Sequence, residues 1–116
     1  MLLGRLTTHV LNTAEGIPAA GMRLSLRDGK GKVIREAVTN ADGRCEDPLL
    51  EGPSLLAGTY VLAFATAHYF RERGARLSDP PFLDVIEIAF GVADPTAHYH
   101  VPLLVSPFAY STYRGS

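Results

Sequence analysis

Short apolar runs, separated by turn sequences roughly every 8–12 positions, are the feature that most limits how this chain can fold. Residues 28–31 (Asp-Gly-Lys-Gly) and 40–43 (Asn-Ala-Asp-Gly) are typical of these turns. Runs of this length suit strands better than helices, so the spacing predicts an all-β fold. The predicted strands cover residues 5–12, 22–28, 32–39, 46–50, 58–66, 82–90, 98–105 and 108–114.

One segment departs from this pattern. Residues 67–73 are good helix formers and end at Gly74, a residue type that commonly follows the last turn of a helix. One short helix beside about eight strands favours a sandwich of two sheets. The length of 116 residues predicts a single domain over residues 1–116.

Composition excludes several classes of function. The hydrophobic content of 47% and the charged content of 20% are those of an ordinary globular protein. A formal net charge of -1 gives no basic surface for nucleic acid or for an anionic membrane. We therefore expect neither nucleic acid nor membrane as a partner.

The single cysteine, Cys45, excludes an internal disulfide and a cysteine-rich zinc site. We interpret it as a small, partly buried residue, because no histidine adjoins it in sequence to activate the thiol. The first residues lack the basic and apolar regions of a signal peptide, and no run of about 18 apolar residues could span a membrane. These features predict a cytoplasmic protein.

Strand parity sorts the candidate functional residues, because successive side chains point to opposite faces of a sheet. In the first strand, Thr7, His9 and Leu11 lie opposite the apolar face. In residues 98–105 the apolar face is Tyr99, Val101, Leu103 and Val105, and the opposite face is His98, His100, Pro102 and Leu104.

In the last predicted strand, Phe108 and Tyr110 are expected in the core, which leaves Ala109, Ser111 and Tyr113 on the other side. If these three strands are neighbours in one sheet, His9, His100, Ser111 and Tyr113 share its outer face. That face carries imidazoles, a phenol and apolar residues where a solvated face would carry Lys and Glu. Such a surface is typical of one that another subunit covers and that encloses a small site.

Other polar residues have simpler interpretations. His68 lies in the predicted helix between apolar residues and is interpreted as structural. Arg44 follows a turn pattern that is common in β-sandwich domains without enzymatic role. The spacing His98-x-His100 allows two ligands from one strand, and His9 is a possible third, but no nearby carboxylate completes a zinc set. Adventitious zinc binding is compatible with this pattern, and a required metal is not supported.

Four segments together resemble the transthyretin family. Residues 9–19 (His-Val-Leu-Asn-Thr-Ala-Glu-Gly-Ile-Pro-Ala) resemble its N-terminal signature, residues 39–44 (Thr-Asn-Ala-Asp-Gly-Arg) a second block, and residues 99–111 its C-terminal signature. Residues 113–116 (Tyr-Arg-Gly-Ser) resemble the ending of its enzyme branch, the 5-hydroxyisourate hydrolases. The resemblance implies a prealbumin-like sandwich of two four-stranded sheets, paired into a homotetramer that is a dimer of dimers.

The resemblance also implies a reaction, the hydrolytic opening of 5-hydroxyisourate without metal or cofactor. His9, Arg44 and His100 would be catalytic, and His9, Arg44, Tyr113 and Ser116 would bind the substrate. Either histidine could activate water, and Arg44 would polarise the attacked carbonyl. His98 and Ser111 are secondary candidates. The alternative is a non-catalytic small-molecule carrier that uses the same channel between subunits.

Overall fold

The computed structural model describes residues 3–115. The longer strands are β1 (Arg5–Asn12), β3 (Arg23–Asp28), β4 (Val33–Val38), β6 (Gly58–Ala65), β7 (Val85–Val92) and β8 (His98–Val105). Shorter strands are β2 (Ile17–Pro18), β5 (Leu50–Glu51) and β9 (Tyr110–Thr112), and a 3-10 turn at Gly52–Ser54 follows β5. The helix α1 (Thr66–Glu72) connects β6 to the segment before β7.

The strands form a sandwich of two sheets, as the sequence predicts. One sheet has the order β2-β1-β8-β9, and the other has the order β4-β3-β6-β7. In the first sheet β2 pairs with the C-terminal end of β1, and β5 pairs with its N-terminal end. The first and last strands therefore belong to one sheet. This arrangement confirms the adjacency on which the grouping of the histidines depends.

The pairing of β1 with β8 is parallel and unbroken over eight residues of each strand. Its register sets Thr7 opposite His100, whereas His9 lies opposite Pro102 and Arg5 opposite His98. Cross-strand partners lie on the same face of the sheet. His9 and His100 are therefore diagonal neighbours, with Thr7 directly beside His100.

The core lies between the sheets and follows the alternation predicted for β1 and β8. Leu6 and Val10 of β1 and Leu103 and Val105 of β8 are fully buried, and the residues between them on the outer face are mostly half-buried. In the second sheet β6 is central, with Leu62 and Phe64 fully buried. This burial follows from the position of β6 between β3 and β7.

Helix α1 ends as the sequence predicts. Gly74 has a φ of 84°, in the left-handed region that favours glycine after a helix. Tyr69 and Phe70 are buried against the core, whereas His68 is exposed and lies 3.7 Å from Glu72. In residues 3–115 no helix is long and apolar enough to cross a membrane.

The last strand differs from the prediction. We expected Phe108 and Tyr110 in the core, but their exposed fractions are 71% and 46%. The expectation was wrong because β9 covers only Tyr110–Thr112 at the edge of the sheet, and its pairing with β8 ends at Val105. Beyond the end of a paired strand, the alternation of apolar and polar residues does not show which side chains the core buries.

Residues 46–50 also form less strand than expected. Only Leu50–Glu51 pair, against Leu6 and Arg5 of β1. Pro48 precedes this pair and has no N–H to donate to a ladder, which limits strand formation there. The short strand β2 was not predicted.

The assigned core can be tested with a buried and an exposed apolar residue. Leu62→Ala removes a side chain with an exposed fraction of 0%, and we expect it to lower the free energy of unfolding by about 2–5 kcal/mol. Val33→Ala, at an exposed position on the edge strand β4, should cost less than about 1 kcal/mol. Urea unfolding measures both, and equal losses would contradict the assignment of the core.

Candidate active site

The two histidines of β8 share one hydroxyl on β1. Thr7 Oγ1 lies 2.9 Å from His98 Nε2 and 2.8 Å from His100 Nδ1. The register of β1 against β8 produces this contact, because Thr7 is the cross-strand partner of His100. The hydroxyl therefore fixes both rings on the outer face of the sheet.

Arg44 is placed beside β1 by the turn that precedes it. Asn40 Oδ1 accepts hydrogen bonds from the N–H groups of Asp42 (2.9 Å) and Arg44 (3.2 Å), which closes the turn. The Gly43 carbonyl then accepts from Val10 N at 2.8 Å, and Arg44 forms a β-bridge with His9. This brings Arg44 to the edge of β1 at the level of His9.

Gly43 is required at this turn for two reasons. Its φ is 75°, a backbone conformation that residues other than glycine rarely adopt. A Cβ atom there would lie 2.4 Å from the Val10 carbonyl oxygen. The close approach that places Arg44 therefore needs glycine.

His9 has a defined proton on one ring nitrogen. Its Nε2 lies 2.8 Å from the backbone carbonyl of Asp42, which can only accept a hydrogen bond. Nε2 therefore donates, and in the neutral ring the lone pair is on Nδ1. The turn that positions Arg44 thus also fixes the tautomer of His9.

The C-terminal segment packs against His100. Gly115 N donates to the His100 carbonyl at 2.8 Å, and the two residues form a β-bridge. A Cβ atom on Gly115 would lie 2.5 Å from Cδ2 of the His100 ring. The ring is therefore held between Thr7 on its Nδ1 side and Gly115 on its Cδ2 side.

A cavity of about 370 Å³, which we call the His100 cavity, opens over this face of the sheet. Three of the predicted candidates line it together, Arg44, His98 and His100. The rest of its wall is formed by Arg5, Thr7, Thr8, Cys45, Glu46, Asp47 and Pro48. A space of this volume is within the range of small-molecule binding sites.

The environment of the cavity keeps both of its histidines neutral. Burial, and next the positive charge of Arg44, lower the pKa of His100 below its ordinary value, with smaller contributions from His98 and His9. Burial also lowers the pKa of His98, as do the charges of Arg5 and Arg114. A neutral imidazole carries a lone pair and can accept a proton near pH 7.

Cys45 also lines the cavity, but its thiol is not activated. Burial raises the pKa of this half-buried side chain, and the opposing effect of Arg35 is smaller. The thiol therefore stays protonated near neutral pH. Among residues 3–115 no group of three or more His, Cys, Asp or Glu side chains is arranged to hold a metal ion.

The structure does not bring Tyr113 into the His100 cavity. Its side chain has an exposed fraction of 60% and lines a separate, largely apolar groove of about 290 Å³ with residues of β7 and β8. Ser111 is exposed on β9, where it pairs with Leu104. The remaining candidate, Ser116, lies outside the described residues.

Sequence reasoning missed Thr7 as a member of the site. Parity placed it on the same face as His9, but only the register of β1 against β8 sets it beside His100. The available signal was a hydroxyl residue on a face already carrying imidazoles. Without the register, that signal could not be distinguished from an ordinary surface threonine.

Comparisons with known proteins identify the family of the chain. A model of the HIUase/Transthyretin family matches residues 6–115. A 5-hydroxyisourate hydrolase from Ralstonia nicotianae is 56% identical over 117 residues, covering 98% of this chain and 100% of that protein. The protein of that name from Pseudomonas aeruginosa is 48% identical over 117 residues, with 98% and 93% covered.

Solved structures share the fold. The 5-hydroxyisourate hydrolase of Klebsiella pneumoniae superposes with a TM-score of 0.84 at 34% identity, covering 97% of this chain and 99% of that one. Sea bream transthyretin in complex with thyroxine has a TM-score of 0.84 at 29% identity, with 96% and 94% covered. An (S)-allantoin synthase has a TM-score of 0.95 at 45% identity; the match covers 99% of this chain but only 44% of that longer chain.

The contact between Gly115 and His100 can be tested directly. Gly115→Ala should displace the His100 ring, because the new methyl group would overlap Cδ2. Gly91→Ala is the matched control, since a Cβ atom there meets nothing within 4 Å. The imidazole ¹H–¹⁵N resonances of His100 should move in the first variant and not in the second. Unchanged His100 resonances in Gly115→Ala would contradict the packing.

Proposed function

Because this chain belongs to the HIUase/Transthyretin family, we propose that it is a hydrolase that opens 5-hydroxyisourate to 2-oxo-4-hydroxy-4-carboxy-5-ureidoimidazoline in urate degradation. Relatives that carry the name 5-hydroxyisourate hydrolase are 43–56% identical over nearly the whole chain. The observation that supports the chemistry is the joint placement of a neutral His100 and the cation of Arg44 in one cavity.

His100 acts as the general base. Its lowered pKa leaves the ring neutral near pH 7, and the ring lines the cavity where the substrate would bind. His9 holds the attacking water through Nδ1, because its Nε2–H donates a hydrogen bond to the Asp42 carbonyl. A positioned base of this kind contributes typically about 10²–10⁴-fold to a rate.

Arg44 stabilises the charge that develops on the attacked carbonyl. The water loses a proton to His100 and bonds to the acyl carbon, and the carbonyl oxygen becomes an oxyanion facing the guanidinium. Collapse breaks the ring C–N bond, and the proton held by His100 passes to the leaving nitrogen. Each catalytic group in these reaction steps is an ordinary side chain, so no step requires a metal or a cofactor.

Tyr113 is assigned to the wall of a channel between subunits, Ser116 stays a proposed substrate-binding residue, and Ser111 is a weaker candidate. Tyr113 is exposed in the single chain and is therefore available to contact substrate in an assembly. The backbone of Gly115 pairs with His100, which anchors the described end of this segment to β8.

A carrier function on the same fold is not favoured. Sea bream transthyretin shares the sandwich, but the curated relatives with higher identity over the full chain are named as hydrolases. A cavity lined by imidazole and guanidinium groups suits proton transfer and oxyanion stabilisation. A cytoplasmic location stays a prediction.

Catalysis by these residues is tested with single substitutions. His9→Ala, His100→Ala and Arg44→Ala should each lower kcat/KM for 5-hydroxyisourate by about 10²-fold or more, equivalent to about 3 kcal/mol. His68→Ala, on the exposed face of α1, is the matched control and should keep wild-type activity. Stopped-flow absorbance of freshly prepared substrate measures the rates. Activity losses that only follow the unfolded fraction would show these histidines to be structural.

We further infer that the chain assembles as a homotetramer, a dimer of dimers. The outer face of β1 and β8 carries Leu11 and Leu104, and the last segment exposes Phe108, Tyr110 and Tyr113. Apolar and aromatic groups concentrated in this way are typical of an interface between subunits.

Assembly is tested by light scattering. The wild-type protein should have the mass of a tetramer at micromolar concentration, and Leu104→Glu should lower that mass by placing a charge on the outer face. Leu56→Glu, at an exposed site in the loop before β6, should leave the mass unchanged. A monomeric wild-type protein would contradict the channel between subunits.

A further inference from the structure

We propose that Thr7, braced by His98, is a positioning residue that holds His100 with its proton on Nδ1 and its lone pair on Nε2. This role rests on the proposed function, in which His100 is the general base. The geometry that carries it is one hydroxyl within hydrogen-bond distance of both imidazoles, at 2.9 Å from His98 Nε2 and 2.8 Å from His100 Nδ1.

A threonine hydroxyl has one proton and cannot donate to both rings. At least one ring must therefore donate its own N–H to Thr7 Oγ1. If His98 donates, the Thr7 proton goes to His100 Nδ1, and the neutral His100 ring carries its proton on Nε2. If His100 donates, the Thr7 proton is available to His98 Nε2, and His100 Nε2 is left with its lone pair.

The surroundings of His100 favour the second arrangement. Nδ1 faces Thr7 and Cδ2 faces Gly115, so Nε2 lies at the far end of a ring that lines the cavity with Arg44. A positive charge in the cavity favours a lone pair over an N–H at that end of the ring. The tautomer that Thr7 can hold is thus the one in which Nε2 can take a proton from water.

His98 is suited to accept the Thr7 proton. Its pKa is lowered by burial and by Arg5 and Arg114, so the ring stays neutral and keeps an acceptor nitrogen near pH 7. Arg114 also stacks over Tyr99 at 4.2 Å and lies 3.4 Å from the His98 carbonyl, which keeps its charge beside β8. The charged or titratable groups that face the two rings are Arg5, His9, Arg44, Cys45, Glu46, Asp47 and Arg114.

The arrangement has a further consequence during catalysis. When His100 Nε2 gains a proton, its Nδ1–H still donates to Thr7 and the Thr7 hydroxyl still donates to His98. Neither of these two hydrogen bonds has to break, so the imidazolium is stabilised without movement of the ring. His98 acts only through Thr7 and is likewise a positioning residue.

The tautomer is tested first in the unaltered protein. Long-range ¹H–¹⁵N spectra at pH 8, with His100→Gln used to assign the signals, should show neutral His100 protonated on Nδ1. Protonation on Nε2 would overturn the proposal whatever the kinetics show. This measurement needs no folded variant of Thr7.

Substitutions test the role in catalysis. Thr7→Val removes the hydroxyl and keeps the shape, so kcat/KM should fall about tenfold or more. Thr7→Ser retains the hydroxyl and should stay close to wild type. His98→Leu should resemble Thr7→Val, whereas His98→Gln, whose amide oxygen can accept from Thr7, should recover most of the rate.

The pH profile separates positioning from a structural role. Loss of the Thr7 acceptor destabilises the His100 imidazolium, which lowers its pKa, so the acid limb of kcat/KM should move to lower pH in Thr7→Val. A Thr7→Val profile that matches Thr7→Ser, while His100→Ala is inactive, overturns this proposal alone. An active His100→Ala protein overturns the assignment of the base itself.

Discussion

The parallel ladder between β1 and β8 is the constraint on which the rest of the site depends. Its register sets Thr7 beside His100 and leaves His9 one diagonal step away. A shift of one residue would turn every side chain of β1 to the other face, burying His9 and exposing Leu6 and Val10. The fully buried residues on the opposite face of β1 therefore stabilise the arrangement of the polar ones.

Besides the Thr7 hydroxyl, backbone groups of neighbouring segments position the polar groups of the site. The Asn40 turn directs Arg44 to the edge of β1 and offers the Asp42 carbonyl to His9. Gly115 confines the His100 ring from the other side. In the proposed mechanism, a base and an oxyanion donor held in this way need little reorganisation when charge develops, which is how electrostatic preorganisation lowers a barrier.

The alternation of apolar and polar residues predicted the fold well for strands that have a partner on both sides or that pack against the core. β1 and β8 have the predicted bounds, because their alternation and their burial coincide. Phe108 and Tyr110 were misplaced because β9 is a short edge strand, and apolar residues at an edge do not report a core. Arg44 and the two histidines of β8 were found from residue types and a family resemblance, but Thr7 depends on the register, which no local pattern encodes.

The backbone alone does not distinguish a hydrolase from a carrier on this fold. The Klebsiella pneumoniae hydrolase and sea bream transthyretin superpose on this chain with the same TM-score of 0.84. Function must therefore be argued from side chains on the shared sheet face. On that face this chain places two neutral imidazoles on one hydroxyl, with a guanidinium in the same cavity. Binding a flat ligand would not require a lone pair directed at it beside a cation, whereas hydrolysis requires both, since one takes the proton from water and the other balances the oxyanion.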